Sequence, residues 1–412
     1  MKKKFNIFTI GCKANQYESQ AYSDQLKTLG LISTKDDNAD ICIVNACSVT
    51  SSADKKSINA IKSLKKRNKH AKFYFTGCIS KDVKNKIDED IIIIPNTQKE
   101  SLVSQIFPNR VIPKFKIKNF DNHTRAFVKI QDGCDSFCSY CIIPFTRGRS
   151  RSRTAEDILY EITKLSDNGY KEIVLTGINL GDFSSDISFV DLLKEIHEIE
   201  DIKRIKLSSI HPHDITDELI DVLINFEKMS KYLHISLQSG SNKILKKMRR
   251  KYTTEIFIEK VKKLTSLNSD FTFMTDLIVG FPTETLEDVE NTLNIIKQAE
   301  FTKVHFFPYS KRPDTAAAKF LDQVDKNSVD ERKKLLSQMA NEIAFKKREK
   351  FIGREMRVLF ESIKDDYFVG STDNNLLVYV PKCSEIHSND IKQVKLTKNM
   401  DGYILGELCK LK

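Results

Sequence analysis

The sequence predicts an α/β protein in three parts: a doubly wound parallel α/β domain, a partial barrel of β/α units, and a small all-β barrel of OB-like character. Three observations carry that expectation. From residue 5 to residue 309, apolar runs of strand length alternate with amphipathic helical stretches. After a charged helical segment the alternation stops, and short strands follow one another without helices. A length of 412 residues is, finally, too great for one ordinary domain.

The first part, residues 1–115, has strands at 5–10, 41–45, 73–76 and 91–94, with helices at 17–29 and 52–67. Strands separated by helices need right-handed crossovers, and so a parallel sheet covered on both faces. Periodicity fades between residues 96 and 122, where Pro108 and Pro113 interrupt it, and a linker is expected there. The second part, residues 120–345, has strands at 126–131, 172–176, 204–208, 232–238, 271–279 and 304–309. Helices at 155–167, 189–199, 217–226, 254–267 and 286–298 separate them. Such a series fits a barrel or part-barrel with its chemistry on the loops at the strands' carboxyl ends; an open sheet has the same periodicity. A helix at 328–350 leads into the third part, residues 350–412, with strands at 356–363, 368–371, 376–380, 391–396 and 402–409.

Composition narrows the function. Hydrophobic residues at 40% and charged residues at 30% exclude a disordered, collagenous or coiled-coil chain. The longest apolar runs, such as residues 91–95, are strand-length, so no membrane span is expected. The amino terminus enters a strand pattern without a signal-peptide apolar region, so a cytoplasmic location is expected. Lys and Arg number 67 against 56 Asp and Glu, a net charge of +11. The surplus is clustered at residues 61–72, 147–153 and 246–251, as a polyanion partner would require. For the first run, lysine decoration of a solvated face explains the sequence as well. The second run carries Arg147, Arg149, Arg151 and Arg153, whose forked guanidinium groups suit phosphate, and these are the expected RNA contacts.

Nine cysteines in a reducing compartment are not a disulfide set. Cys134, Cys138 and Cys141 follow directly on the first strand of the second part and can converge on one metal centre. Zinc would need a fourth ligand; none has knuckle spacing, and His123 lies before the strand, at its opposite end. An iron–sulfur cubane held by three thiolates keeps one iron open. Cys12, Cys47 and Cys78 each follow a small residue at the end of a strand in the first part. In a parallel sheet those ends share one edge, so three thiols distant in sequence can meet there. Cys42, Cys383 and Cys409 read as structural.

The segment Gln131-Asp-Gly-Cys134-Asp-Ser-Phe-Cys138-Ser-Tyr-Cys141, followed by the arginine run, resembles the radical S-adenosylmethionine methylthiotransferases. The strand-end cysteines match that family's amino-terminal cluster domain, and the last part looks like its TRAM domain. Gly11-Cys12-Lys13-Ala14-Asn15-Gln16-Tyr17 resembles the branch acting on threonylcarbamoyladenosine beside the tRNA anticodon, although Ala14 stands where that branch usually has Val. The resemblance implies insertion of a methylthio group at C2 of the modified adenine by a radical route, since that C–H bond is scarcely acidic. It implies two [4Fe–4S] clusters and S-adenosylmethionine as cofactors, and as partners a tRNA anticodon stem-loop, an electron donor and a sulfur source. By the same analogy Gly177, Asn179, Ser236, Gln238, Gly280 and Glu284, at strand ends, would contact the cofactor. The other readings are a methylthiotransferase acting on isopentenyladenosine or on a ribosomal protein, and a zinc-stabilised, non-catalytic RNA-binding protein.

Overall fold

The computed structural model describes residues 2–121 and 123–409; Asn122, the far end of the expected linker, and residues 410–412 of the third part lie outside the described residues. The first sheet comprises β1 (Lys4–Thr9), β2 (Ile32–Ser33), β3 (Ile41–Ala46), β4 (Lys72–Gly77) and β5 (Ile92–Ile93), in the order β2-β1-β3-β4-β5, all parallel. The central β3, Ile-Cys-Ile-Val-Asn-Ala, is buried at every position. Its alternate residues serve two cores, as a doubly wound sheet demands. Ile41 and Ile43 pack with Tyr22 and Leu26 of the helix α1 (Lys13–Thr28). Cys42, Val44 and Ala46 pack with Ile61 and Leu64 of α2 (Ser51–Arg67) on the other face. The expected linker is only partly one. It opens with helical turns at Asn96–Ser101 and Leu102–Ile106, and Leu102 and Val103 are buried in the first core. Turns that short leave no periodicity to read.

The second part has β6 (Arg125–Lys129), a two-stranded ribbon of β7 (Gln131–Asp132) and β8 (Arg151–Ser152), then β9 (Glu172–Thr176), β10 (Arg204–Leu207), β11 (Ser209–Ile210), β12 (Tyr232–Ile235), β13 (Thr272–Val279) and β14 (Lys303–Pro308). Parallel pairing runs β6-β9-β10 and β11-β12-β13-β14, with β10 and β11 separated only by Ser208. Helical residues Ile158, Leu193, Leu219, Phe257 and Ile296 form one core with Val128, Ile173, Ile205, Ile235 and Leu277. The other face is polar: Arg125, Glu172 and Arg204 stand in register across β6, β9 and β10. Along β13 the core-facing residues are buried, while Met274, Asp276 and Ile278 are only partly so. Helices on one face and a half-open polar lumen on the other make this a partial barrel rather than a flat sheet covered on both sides.

The third part is a closed barrel of β15 (Glu355–Lys364), β16 (Tyr367–Thr372), β17 (Leu377–Pro381), β18 (Ile391–Asn399) and β19 (Ile404–Leu408), in the order β15-β16-β17-β19-β18, consistent with a TRAM-like domain. It seals the amino ends of the partial barrel. Arg204 Nη1 donates to the Ser371 carbonyl at 3.0 Å, and Arg125 meets Glu361 at 3.1 Å. The carboxyl ends are thereby left for the cysteine loop and the first domain. Arg312, beyond β14, pairs with Asp54 of α2 at 2.6 Å. No helix among the described residues is long and apolar enough to cross a membrane.

Candidate functional site

Register brings the first three thiols together. Thr9 lies beside Asn45, and Ala46 beside Gly77, so β1, β3 and β4 release Cys12, Cys47 and Cys78 at one edge. Glycines permit the approach: Gly11 has φ +128°, and a Cβ there would lie 3.1 Å from Cys47 Cβ. Gly77 has φ +97°, and its Cβ would meet the Ala46 carbonyl at 2.5 Å. Asn15, in the first turn of α1, ties the edge by donating to the Ala46 carbonyl at 2.9 Å and accepting from the Cys12 thiol at 3.3 Å. Burial, and then the neighbouring Cys78, push the Cys47 thiol up to about 12; burial raises Cys78 as well. Such thiols stay protonated until a metal centre supplies the positive charge that makes them thiolates.

Cys134, Cys138 and Cys141 occupy the loop between β7 and the helix Ile143–Arg147. The loop is pinned from both sides: Cys134 N donates to the Gly148 carbonyl at 3.2 Å, and Ser139 Oγ to the Lys247 carbonyl at 2.7 Å. Arg250 Nη1 donates to Cys138 Sγ at 3.1 Å. Burial, followed by the neighbouring Cys138, pushes Cys141 up to about 12. Gly133 has φ +72°, and a Cβ there would run into the Arg149 carbonyl. Gly133→Ala is therefore expected to displace Cys134 and leave the purified chain with about half its iron, read by anaerobic iron analysis.

The thiols are spread more widely than zinc needs. Tetrahedral zinc with bonds of about 2.3 Å holds its sulfurs roughly 3.8 Å apart. Among the described residues, the groups of three ligand side chains whose donor atoms lie within 4.8 Å of one another are His211/His213/Asp214 and His234/Asp276/His305, and neither contains cysteine. A cubane, with one iron for each thiolate, accepts the wider spread.

Past the carboxyl ends of β9, β10 and β11 lies a set of buried polar atoms without partners. Ile178 N and Asn179 N both donate to Gln131 Oε1, at 2.9 and 3.0 Å, and Gly177 packs beside the same side chain. Asn179 Oδ1, Asp182 Oδ2, Ser208 Oγ and Arg250 Nη2 lack a hydrogen-bond partner among the described residues, while His211 Nδ1 and Asp214 Oδ2 face each other at 3.7 Å, beyond hydrogen-bond reach. Orphaned donors and acceptors of both signs fit a polar zwitterion such as S-adenosylmethionine. Ser236 and Gln238 lie just past the carboxyl end of β12. The Tyr252 hydroxyl holds the Ser236 carbonyl at 2.5 Å, and Gln238 takes φ +68°.

Two of the residues expected to contact the cofactor have partners within the chain. Gly280, at φ +73°, backs onto Val329 of the helix Lys326–Glu349, where a Cβ would clash. Glu284 Oε1 accepts from Gly280 N and from Arg332, both at 2.9 Å. Both residues fasten their loop to that helix.

The arginine run is corrected at two of its four positions. Arg147 is fully buried: Nε donates to Cys78 Sγ at 3.0 Å, Nη1 to Glu18 and Asp132 at 2.9 Å each, and Nη2 to Asn15 at 2.8 Å. Arg153, its side chain 18% exposed, pairs with Glu161 and Asp157. Neither can grip a phosphate. Arg149, 73% exposed, pairs with the exposed Asp135, and Arg151, 44% exposed, reaches back to Asp132 at 3.1 Å while keeping the rest of its side chain open to solvent. Replacing both with alanine is expected to weaken RNA binding, with iron unchanged, and to reduce the slope of log K against log salt by about 1 for each phosphate no longer neutralised. Titration of a stem-loop at several salt concentrations checks this. The links Arg147–Cys78 and Arg250–Cys138 had no local signal, because each arginine sits in a run of cations that looks like surface.

Comparisons with known proteins identify the family. The Radical SAM superfamily matches residues 128–296, and the Uncharacterized protein family UPF0004 matches residues 4–94. The chain is 39% identical to the threonylcarbamoyladenosine tRNA methylthiotransferase MtaB of Chlamydia pneumoniae, over 99% of each chain. It is 38% identical to the Thermotoga maritima protein of that name, covering 89% of this chain and 90% of the relative. It is 35% identical to the tRNA-2-methylthio-N(6)-dimethylallyladenosine synthase of Thermoanaerobacter sp. strain X514, covering 99% and 93%. The radical S-adenosylmethionine methyltransferase TsrM of Kitasatospora setae, with cobalamin and a [4Fe-4S] cluster bound, shares the fold at a TM-score of 0.54 and 15% identity, over 77% of each chain. The chain belongs to the radical S-adenosylmethionine methylthiotransferases, enzymes that transfer sulfur-containing groups with S-adenosylmethionine and two [4Fe–4S] clusters as cofactors.

Proposed function

We propose that this enzyme inserts a methylthio group at C2 of N6-threonylcarbamoyladenosine beside the anticodon of a cytoplasmic tRNA. The work divides among residues 1–115, 120–345 and 350–412. Cys134, Cys138 and Cys141 hold one cluster, and Cys12, Cys47 and Cys78 the other. When bound, the first supplies the electron that splits S-adenosylmethionine and the second supplies or positions the sulfur. The observation that carries this reading is the join between the two thiol groups. Arg147, six residues past Cys141, reaches into the first domain and donates to Cys78. The chain's own contribution is orientation. Gln131 fixes the backbone at Ile178 and Asn179, whose amide oxygen is left for the cofactor. Tyr252 fixes the end of β12, and Arg149 and Arg151 engage phosphates. An electron donor and a sulfur source complete the cycle.

The threonylcarbamoyl substrate is supported by the MtaB relatives, 37 to 39% identical over 89 to 99% of this chain. Mass spectrometry of tRNA nucleosides from cells with and without the gene tests it. Loss of methylthiolated threonylcarbamoyladenosine alone is the expected result; loss of the isopentenyl species instead would overturn the assignment.

A further inference from the structure

Lys13 follows Cys12 and opens α1, yet its side chain leaves its own domain. The ammonium stands 5.7 Å from the ring centre of Phe127, on β6 of the partial barrel. Phe127 shares a register row with Val174 and Lys206 on the polar face, so Lys13 enters the lumen from the cluster side. The charged groups of the lumen that act on it are Arg125, Glu172 and Asp276, from β6, β9 and β13. Both carboxylates are already engaged. Glu172 holds Arg204 at 2.6 Å and Lys206 at 3.3 Å. Asp276 Oδ1 faces His305 Nδ1 at 3.1 Å and His234 Nε2 at 3.2 Å. Lys13 makes no ion pair among the described residues. A cation carried into a partly desolvated chamber without a counter-ion is unfavourable by itself, and an anionic ligand group relieves that cost.

The proposed substrate brings such a group. Its N6 substituent ends in the α-carboxylate of threonine, whereas an isopentenyl substituent is neutral and apolar. Resting on that substrate assignment, we propose that Lys13 is a specificity-determining residue that binds the threonyl carboxylate in the barrel lumen. Lys13 thereby selects tRNA carrying an acidic N6 substituent over tRNA carrying a neutral one. One charge-assisted hydrogen bond in a sheltered site corresponds to about 10- to 100-fold in affinity.

The test uses the cluster-loaded full chain and three anticodon stem-loops. One carries threonylcarbamoyladenosine, one its neutral threoninamide analogue, and one isopentenyladenosine. Equilibrium binding without S-adenosylmethionine is read alongside methylthio transfer. Wild type is expected to bind the acid about 10- to 100-fold more tightly than the amide. K13M, with iron and sulfide counts verified, is expected to lose that preference, and K13R to keep most of it. Equal wild-type affinity for acid and amide would overturn the proposal, a comparison that stands even if a variant fails to load its clusters. An undiminished preference in cluster-loaded K13M would overturn it too. Transfer to the isopentenyl stem-loop alone would instead remove the substrate assignment beneath it.

Discussion

Cys134→Ala is expected to abolish S-adenosylmethionine cleavage and to lower iron from about eight to about four atoms per chain. Cys47→Ala is expected to lose a similar amount of iron with a different outcome. It should still produce 5′-deoxyadenosine from S-adenosylmethionine while transferring no methylthio group. The difference follows from architecture. Cys134, Cys138 and Cys141 share one loop fixed by Gly148, Lys247 and Arg250, all within the partial barrel. Cys12, Cys47 and Cys78 are placed by the pairing of β1, β3 and β4 in another sheet. Loss of one group leaves the frame of the other standing. Chromatography of nucleoside products, with iron and acid-labile sulfide analysis on anaerobic protein, separates the two variants. Equal loss of 5′-deoxyadenosine in both would contradict this division of labour.

Arg147→Met is expected to cost about 3–5 kcal/mol and to lower the melting temperature by roughly 10 °C, measured by circular dichroism on anaerobic protein. The guanidinium sits in a buried network between the first domain and the partial barrel. Lys99 pairs with Glu18 at 2.7 Å and also with Asp132; Lys129 pairs with Glu18 at 3.1 Å and Asp132 at 3.3 Å. With Arg151, which pairs with Asp132 at 3.1 Å, four cations face the two carboxylates, and Arg147 donates to the Cys78 sulfur as well. Removal of Arg147 leaves Glu18, Asp132, Asn15 and Cys78 each short of a buried donor, a costly way to break such a network. Arg147→Lys keeps the charge without the fork and should fall between the two. Burial alone would raise the Glu18 carboxyl, but Arg147, Lys129 and Lys99 together hold it well below the usual carboxylate range. A depressed native value stabilises the fold above the unfolded carboxylate value, near pH 4.3, and that stabilisation fades as pH falls further. The gap between wild type and Arg147→Met should accordingly narrow below about pH 4.

Local sequence was sufficient where a short-range rule was at work. Alternation of strands and helices follows from apolar period, and the strands expected at 172–176, 204–208 and 271–279 match β9, β10 and β13 to within a residue at either end. The place of each cysteine beside a small residue at a strand end was equally legible, because a parallel sheet sends all its carboxyl ends to one edge. The arginine run shows the limit. Alternate residues of 147–153 carry guanidinium groups, but Arg147 ends a short helix that turns it inward, while Arg149 lies past Gly148, at φ +84°, and faces solvent. A charge pattern states how many cations a segment holds and does not say which of them meets a carboxylate from another domain.

The sequence by itself determined the three-part α/β architecture, the two cysteine groups and the family, since each depends on neighbours within one element or on residue identities along the chain. Only the tertiary structure decided that Arg147 and Arg250 donate to cysteine sulfurs, that Gly280 and Glu284 pack against a helix, and that Lys13 stands over Phe127 of the barrel. Those roles rest on contacts such as Glu18 with Arg147, formed between residues more than a hundred positions apart. No local propensity records such a pairing, because its free energy exists only once packing has removed water from both partners.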